Sequence, residues 1–306
     1  MTAPWVAGCT RALLLLARRL GTDEIRSIAA ANGLSGAVAA LGATAYAPAA
    51  VERDLEAAQR AVAAVVLFDL RLLLGWLPVA GRELVRTLGA WFELVNIEDR
   101  LSYLHGAPLS AVFELGAVAS AWPRATAAGG SSELREALRA SAWGDPGGDD
   151  PAAFHLGLRL AWARRLQDCV PETRAWVGGA LALLAARDLL AGGHRVAELR
   201  TPVLRALGER WRSASTLTEL ARYVPPHAGW VLEGESASAE PWRLETAWWR
   251  RVGHDSEVFV RDARAPRAGV VGAAALLALD AVRVAAALAA AGVQGGAAGE
   301  VVDALL

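Results

Sequence analysis

Residues 40–46 read Ala-Leu-Gly-Ala-Thr-Ala-Tyr, and residues 137–143 read Ala-Leu-Arg-Ala-Ser-Ala-Trp. The second copy starts 97 residues after the first, and only Gly42 against Arg139 is a severe mismatch. A second echo lies further along each unit. Phe92-Glu93-Leu94, with Arg100-Leu101 beyond it, returns 95 residues later as Arg187-Asp188-Leu189 with Arg195-Val196. A third copy stands at Leu277 and Arg283-Val284, a further 88 along. Internal repetition at a fixed period governs architecture before any local motif does. The period divides the 306 residues into three units of ordinary domain size. Their expected bounds are 1–106, 107–201 and 202–306, with long helices crossing the joins.

Composition narrows the class. Hydrophobic residues make up 54% and charged residues 21%, enough apolar surface to build a core and too much for disorder. The formal net charge is −1, from 31 basic and 32 acidic residues, which leaves no electrostatic footprint for nucleic acid. Every basic residue is Arg. The two cysteines, Cys9 and Cys169, fit a reducing compartment and have no metal-like spacing; they read as structural thiols.

Mean hydropathy is +0.30, so the membrane question arises directly. A spanning helix needs about 20 apolar residues. The uncharged stretch Ser27–Val51 is broken by Asn32, Gly33, Gly36, Gly42 and Pro48. The run Ala175–Ala186 is short, and Ala268–Leu279 ends at Asp280. Arg11 interrupts the N-terminal apolar segment, and Arg18-Arg19 follow Leu13–Leu16 where a signal peptide would place its charges first. Alanine supplies most of the hydropathy and favours helices. The reading is a soluble cytoplasmic chain with no transmembrane segment.

Apolar spacing of three and four residues predicts an all-α fold. The helices fall over 3–20, 23–32, 35–45, 50–75, 79–105, 108–121, 132–142, 151–168, 172–191, 194–212, 216–222, 240–262, 269–291 and 297–305. Val224 and Val258–Val260 are the only places where a strand is tolerable. The stretch Gly144-Asp-Pro-Gly-Gly-Asp-Asp-Pro151 reads as a loop.

The repeat helix carries a family resemblance. Gly89-Ala-Trp-Phe-Glu-Leu-Val-Asn-Ile-Glu-Asp-Arg-Leu-Ser-Tyr-Leu-His-Gly-Ala-Pro108 resembles the recurrent phrase of the C/d family of central-stalk proteins in V-type and A-type rotary ATPases. Asn96-Ile97-Glu98, Arg100 and Gly106 sit where that phrase places them. Leu41 and Thr44-Ala45-Tyr46 look like the family's Leu-x-x-Thr-x-Tyr. Ala265-Pro-Arg-Ala-Gly-Val-Val-Gly272, a long helix and the acidic Glu300-Val-Val-Asp303 are also similar. The likeness spans the chain in order. The later repeats depart from it: the step before the basic residue is Ala191-Gly-Gly-His194 in the second and Leu279-Asp-Ala-Val282 in the third.

The resemblance implies three similar helical bundles about a pseudo-threefold axis, shaped as a funnel. It implies a non-catalytic central-stalk component that sits on the membrane rotor ring and receives the tip of the central shaft. Torque then passes through it between ATP turnover and ion movement. Its partners would be the shaft subunits and the ring, with peripheral attachment to the inner face of the cell membrane and no cofactor, metal or catalytic residue. Such a role needs stiffness, which close-packed Ala-rich helices supply.

Candidate interface residues follow in two groups. Arg100, Arg195 and Arg283 recur at matching places in the three units, either as a ring of positive charge lining the funnel or as internal pairs that orient the repeat helix. Trp242, Trp248 and Trp249, with Arg243, Arg250 and Arg251, form an Arg/Trp-rich helix. It reads as an interface with the ring or the membrane surface, or as a face where Arg stems cover apolar area. Trp91, Trp143, Trp162 and Trp176 are expected to fill core gaps left by Ala.

Other chemistry finds little support in the residues. His105, His155, His194, His227 and His254 have no metal-binding spacing. Asp149-Asp150 lacks the further acids of a magnesium motif and reads as a helix N-cap, with Pro151 at the first helical position. The Gly pairs at 129, 147, 178 and 192 are not phosphate loops, because no Lys and no preceding strand accompany them. Two other classes remain open: a generic helical scaffold and an all-helical enzyme acting on an apolar substrate.

Overall fold

The computed structural model describes residues 3–147, 150–193, 196, 199, 201–233, 240–262, 264–293 and 297–306. The fold is all-α, with no strand among the described residues. Three short helices open the chain: α1 (Ala3–Leu16), α2 (Thr22–Ala29) and α3 (Gly33–Ala40). The long α4 (Leu55–Leu74) and α5 (Val79–Leu104) follow. Next come α6 (Trp122–Ala125), α7 (Ser131–Arg139), α8 (Pro151–Cys169) and α9 (Arg174–Leu190). The last third holds α10 (Leu217–Tyr223), α11 (Pro226–Gly229), α12 (Pro241–Arg261), α13 (Pro266–Val293) and α14 (Ala297–Leu305).

Caps explain where the helices begin. The Asp54 carboxylate accepts from the Ala57 N–H at 2.8 Å, so α4 starts at Leu55 and the preceding Ala47–Val51 is a 3-10 turn. Asp150 does the same for α8, accepting from the Ala153 N–H at 3.0 Å, with Pro151 in the first turn. Asp149 lies outside the described residues. Thr216 caps α10 through the Glu219 N–H.

Helix α13 is the hub, packing against α1, α2, α3, α4, α5, α12 and α14. Small residues let its neighbours approach closely: a Cβ added at Gly272 would lie 2.7 Å from the Ser256 carbonyl oxygen on α12. The helix expected over 269–291 spans Pro266–Val293 and carries Asp280 within it. By length and composition α13 could cross a membrane, yet 67% of its most apolar window is buried inside the protein. A buried core helix passes the same hydropathy test.

Two hydrophobic clusters form. The larger runs from Ala12 to Leu305 and is centred on α13. The smaller gathers Leu94, Ile97 and Leu101 of α5 with Leu134, Leu138, Trp143, Phe154 and Leu158. Contacts cross position 106, because α5 packs on α6, α7 and α8, and the opening helices pack on the closing helix α13.

Two expected helices differ. Residues 108–121 are largely irregular, with one 3-10 turn at Gly116–Val118. The Asn96 side chain holds Phe113 on both its N–H (2.8 Å) and its C=O (2.9 Å), and Glu93 takes the N–H groups of residues 120–122. Those backbone groups are therefore not free for helical bonds. Of the expected helix 194–212, residues 202–212 form two 3-10 turns, Pro202–Leu207 and Arg210–Ser213, split by Gly208 at φ 75°, and most of 194–200 lies outside the described residues. Val258–Val260 lies within α12, and Val224 caps α10.

Candidate functional site

The repeated phrase folds twice into the same turn. In the first copy the Thr44 hydroxyl donates to the Leu41 carbonyl (2.8 Å) and accepts from the Tyr46 N–H (3.0 Å). In the second the Ser141 hydroxyl donates to the Leu138 carbonyl (2.7 Å) and accepts from the Trp143 N–H (3.1 Å). Leu41 and Leu138 are fully buried. Each turn thereby aims an amphipathic aromatic ring inward, where its polar tip must find an acceptor.

A buried carboxylate meets each tip. Trp143 Nε1 donates to Glu93 Oε2 at 2.8 Å, and Tyr46 Oη donates to Asp280 Oδ2 at 2.7 Å. Glu93, fully buried on α5, also accepts from the N–H groups of Ser120 (2.7 Å), Ala121 (2.7 Å) and Trp122 (2.8 Å), and from the Ser120 hydroxyl. These donors sit at the start of α6. Asp280, buried on α13, adds the Leu20 N–H at 3.4 Å, just ahead of α2. A third acid, Asp188 near the end of α9, accepts from the Val196 N–H at 2.9 Å. Asp188 and the buried Trp211 line one cavity of about 20 Å³. The Trp211 Nε1 makes no protein hydrogen bond, and that volume suffices for one water.

The sequence signal for Glu93 and Asp188 is their 95-residue spacing. The third acid escapes it because the repeat aligns α13 on Leu277 and Arg283, whereas Asp280 performs the role. Counted from the acids, Arg100 lies seven residues on and Arg283 three, so the arginines occupy different turns of their helices.

Burial raises the carboxyl pKa of Asp280 above the usual range, against the opposing pull of Tyr46, Leu20, Arg19 and Arg283. Asp69, buried on α4, is raised by the same desolvation, opposed by Arg18 and Arg11. Arg18 approaches it to 3.6 Å. The Tyr46 phenol is pushed far up by burial and then by the Asp280 charge. Desolvation lowers the Arg283 guanidinium.

The expected interface residues are mostly engaged within the chain. Arg100 donates to the Ala128 carbonyl and lies 5.2 Å over the Tyr103 ring. Arg283 donates to the Leu305 carbonyl at 2.9 Å and so ties α13 to α14. Neither makes an ion pair among the described residues; Arg195 lies outside them. On α12, Trp248 Nε1 donates to the Trp176 carbonyl (2.8 Å), and the Trp248 and Trp249 rings meet edge-on at 4.8 Å. Trp242 lies under Arg243 at 4.4 Å. Arg250 donates to the Ala304 carbonyl (2.8 Å), and Arg251 pairs with Asp255 (2.9 Å) over the Trp230 ring. The α12 cations thus brace α14 and cover apolar surface.

Trp143 and Trp176 fill the core as expected, but Trp91 is 39% exposed and stacks outside on Trp162. The 178–179 Gly pair is a packing device: a Cβ on Gly179 would strike the Trp230 ring. Both cysteines are free. His155 meets Glu98 at 2.9 Å, and His227 meets the Ala206 carbonyl at 2.9 Å. No three His, Cys, Asp or Glu side chains gather as a metal site among the described residues. The chemistry assembled here is clamping: carboxylates fixed on long helices hold the N–H groups and aromatic tips of the segments packed against them. The chain matches no protein-family model and no curated protein.

Proposed function

We propose that this chain is a non-catalytic central-stalk subunit of a V/A-type rotary ATPase, coupling the rotating shaft to the membrane rotor ring during ATP-linked ion transport. In this reading it has three related bundles about a pseudo-threefold axis, with a funnel that admits the shaft. It works on the cytoplasmic side, peripheral to the membrane through the ring.

One observation carries the reading. The Leu-x-x-Thr-x-Tyr phrase at Leu41–Tyr46, one of the stretches that carry the family likeness, forms a structural joint that its repeat copy makes again: Tyr46 on Asp280 and Trp143 on Glu93. These buried acids hold helices and turns together, which suits a torque-bearing body. The test is reconstitution. The purified chain should bind shaft subunits and co-fractionate with ring-containing membranes; failure of both sinks the proposal.

A further inference from the structure

We propose that the outward face of α1, with the α4–α5 corner beside it, docks directly on an anionic lipid surface. This goes beyond the coupling role and does not depend on it.

Surface helices of water-soluble proteins show a polar side to solvent. Helix α1 does not. Its core side carries Ala12, Leu15 and Leu16, and its solvent side carries Val6 (47% exposed), Leu13 (41%) and Leu14 (57%). The remaining exposed positions of α1, Ala3, Pro4, Ala7 and Thr10, are also uncharged. The corner between α4 and α5 lies beside α1, where Arg11 on the flank of that helix sits over the Trp76 ring. There Trp76 is 50% and Val79 77% exposed.

The rim is cationic. Arg11 lies 5.9 Å over the Trp76 ring, and the Arg18 side chain is 46% exposed along the seam between α1 and α4. Arg82 is exposed one turn into α5 and has no ion-pair partner among the described residues. The neighbouring acids are countered: Glu83 by Arg86 at 3.8 Å, and the buried Asp69 by Arg18.

The chemistry selects the occupant. A protein interface carries about one hydrogen bond per 100–200 Å², and this face offers only Thr10, Trp76 Nε1 and its arginines. A second copy would set two arginine rims against each other with no free carboxylate between them. A bilayer of anionic lipids matches every part: acyl chains for Leu and Val, the headgroup boundary for Trp, and phosphate for Arg.

The experiment is flotation of the purified full chain with vesicles of phosphatidylcholine alone or with about one third phosphatidylserine. Binding should appear on the anionic vesicles and weaken with salt. The double variant Leu14→Glu/Trp76→Ser should lower partitioning at least tenfold while a cooperative thermal transition shows that it remains folded, since both side chains are half exposed. Arg82→Gln should lower it about fivefold, the worth of one cation near the surface. Absence of binding at low salt, equal binding to neutral vesicles, or unaltered binding by the double variant would each overturn the proposal. So would a dimer that Leu14→Glu dissolves, which would assign the face to a second copy. Binding of the double variant to ring-containing membranes would leave the coupling role standing by itself.

Discussion

At the scale of single residues, two buried carboxylates anchor the joints with different numbers of donors. Glu93 faces five donors and no unmet need. Glu93→Gln would turn an amide NH₂ toward N–H groups that need an acceptor, and should cost about 2–4 kcal/mol. Trp143→Phe keeps an aromatic side chain but removes one charge-assisted bond and leaves a void in the core, costing at least about 1.5–3 kcal/mol. A double-mutant cycle by denaturant unfolding should return a coupling of at least about 1 kcal/mol; additive losses would show the pair to be independent. Asp280 has fewer donors, and burial raises its pKa. The sign follows. A carboxyl whose folded pKa exceeds its unfolded value stabilises most when protonated, and that contribution fades as pH rises through the folded pKa. Asp69 acts in the same direction. Asp280→Asn keeps an acceptor for the Tyr46 hydroxyl and cannot ionise. Its melting temperature should therefore fall less than that of the parent as pH is raised from the ordinary carboxyl pKa of about 4 upward. Parallel curves in differential scanning fluorimetry would remove Asp280 from the pH dependence.

At the scale of elements, close approach decides which helices stay rigid. Helix α9 lies against α11 and the turn that follows it, and Gly178 and Gly179 are the contact points. Gly179→Ala would otherwise gain helix propensity, but its methyl meets the Trp230 ring. We expect a net loss of about 1–3 kcal/mol, and Gly179→Ala with Trp230→Leu should recover part of it, as measured by chemical unfolding. Helix existence is largely legible in the sequence, because α4, α5, α8, α9, α12 and α13 carry long apolar runs and all of these but α9 have side-chain or proline starts. The 108–121 stretch is not legible as a loop. Its own residues favour helix, and what prevents it is tertiary: Asn96 and Glu93, on another element, claim its backbone N–H groups. The clamp itself is half legible. Repetition flags Glu93, Asp188, Tyr46 and Trp143, but nothing in a linear pattern reveals that Tyr46 pairs with an acid 234 residues away.

At the scale of the whole molecule, that long-range pairing joins the two ends of the chain. The opening phrase of the first unit rests on the hub helix near the C-terminus, whereas the opening phrase of the second rests on α5. Around the Asp280 joint, Arg19 reaches Glu257 at 3.4 Å, Gln59 donates to the Ala285 carbonyl at 3.0 Å, and Arg283 fixes α14. The first 50 residues and α13 should therefore open as one cooperative unit, separate from the smaller cluster of α5, α7 and α8. Asp280→Ala leaves the Tyr46 hydroxyl and the Leu20 N–H without an acceptor, a loss of about 1–3 kcal/mol. Hydrogen exchange of this variant should show residues 22–46 and 270–290 losing protection together, by about 5- to 150-fold, the factor that this energy sets. Residues 93–104 and 131–139 should keep theirs. Uniform loss across both clusters would mean that the chain opens only globally. Loss confined to 22–46 would mean that the hub stands without its N-terminal partners.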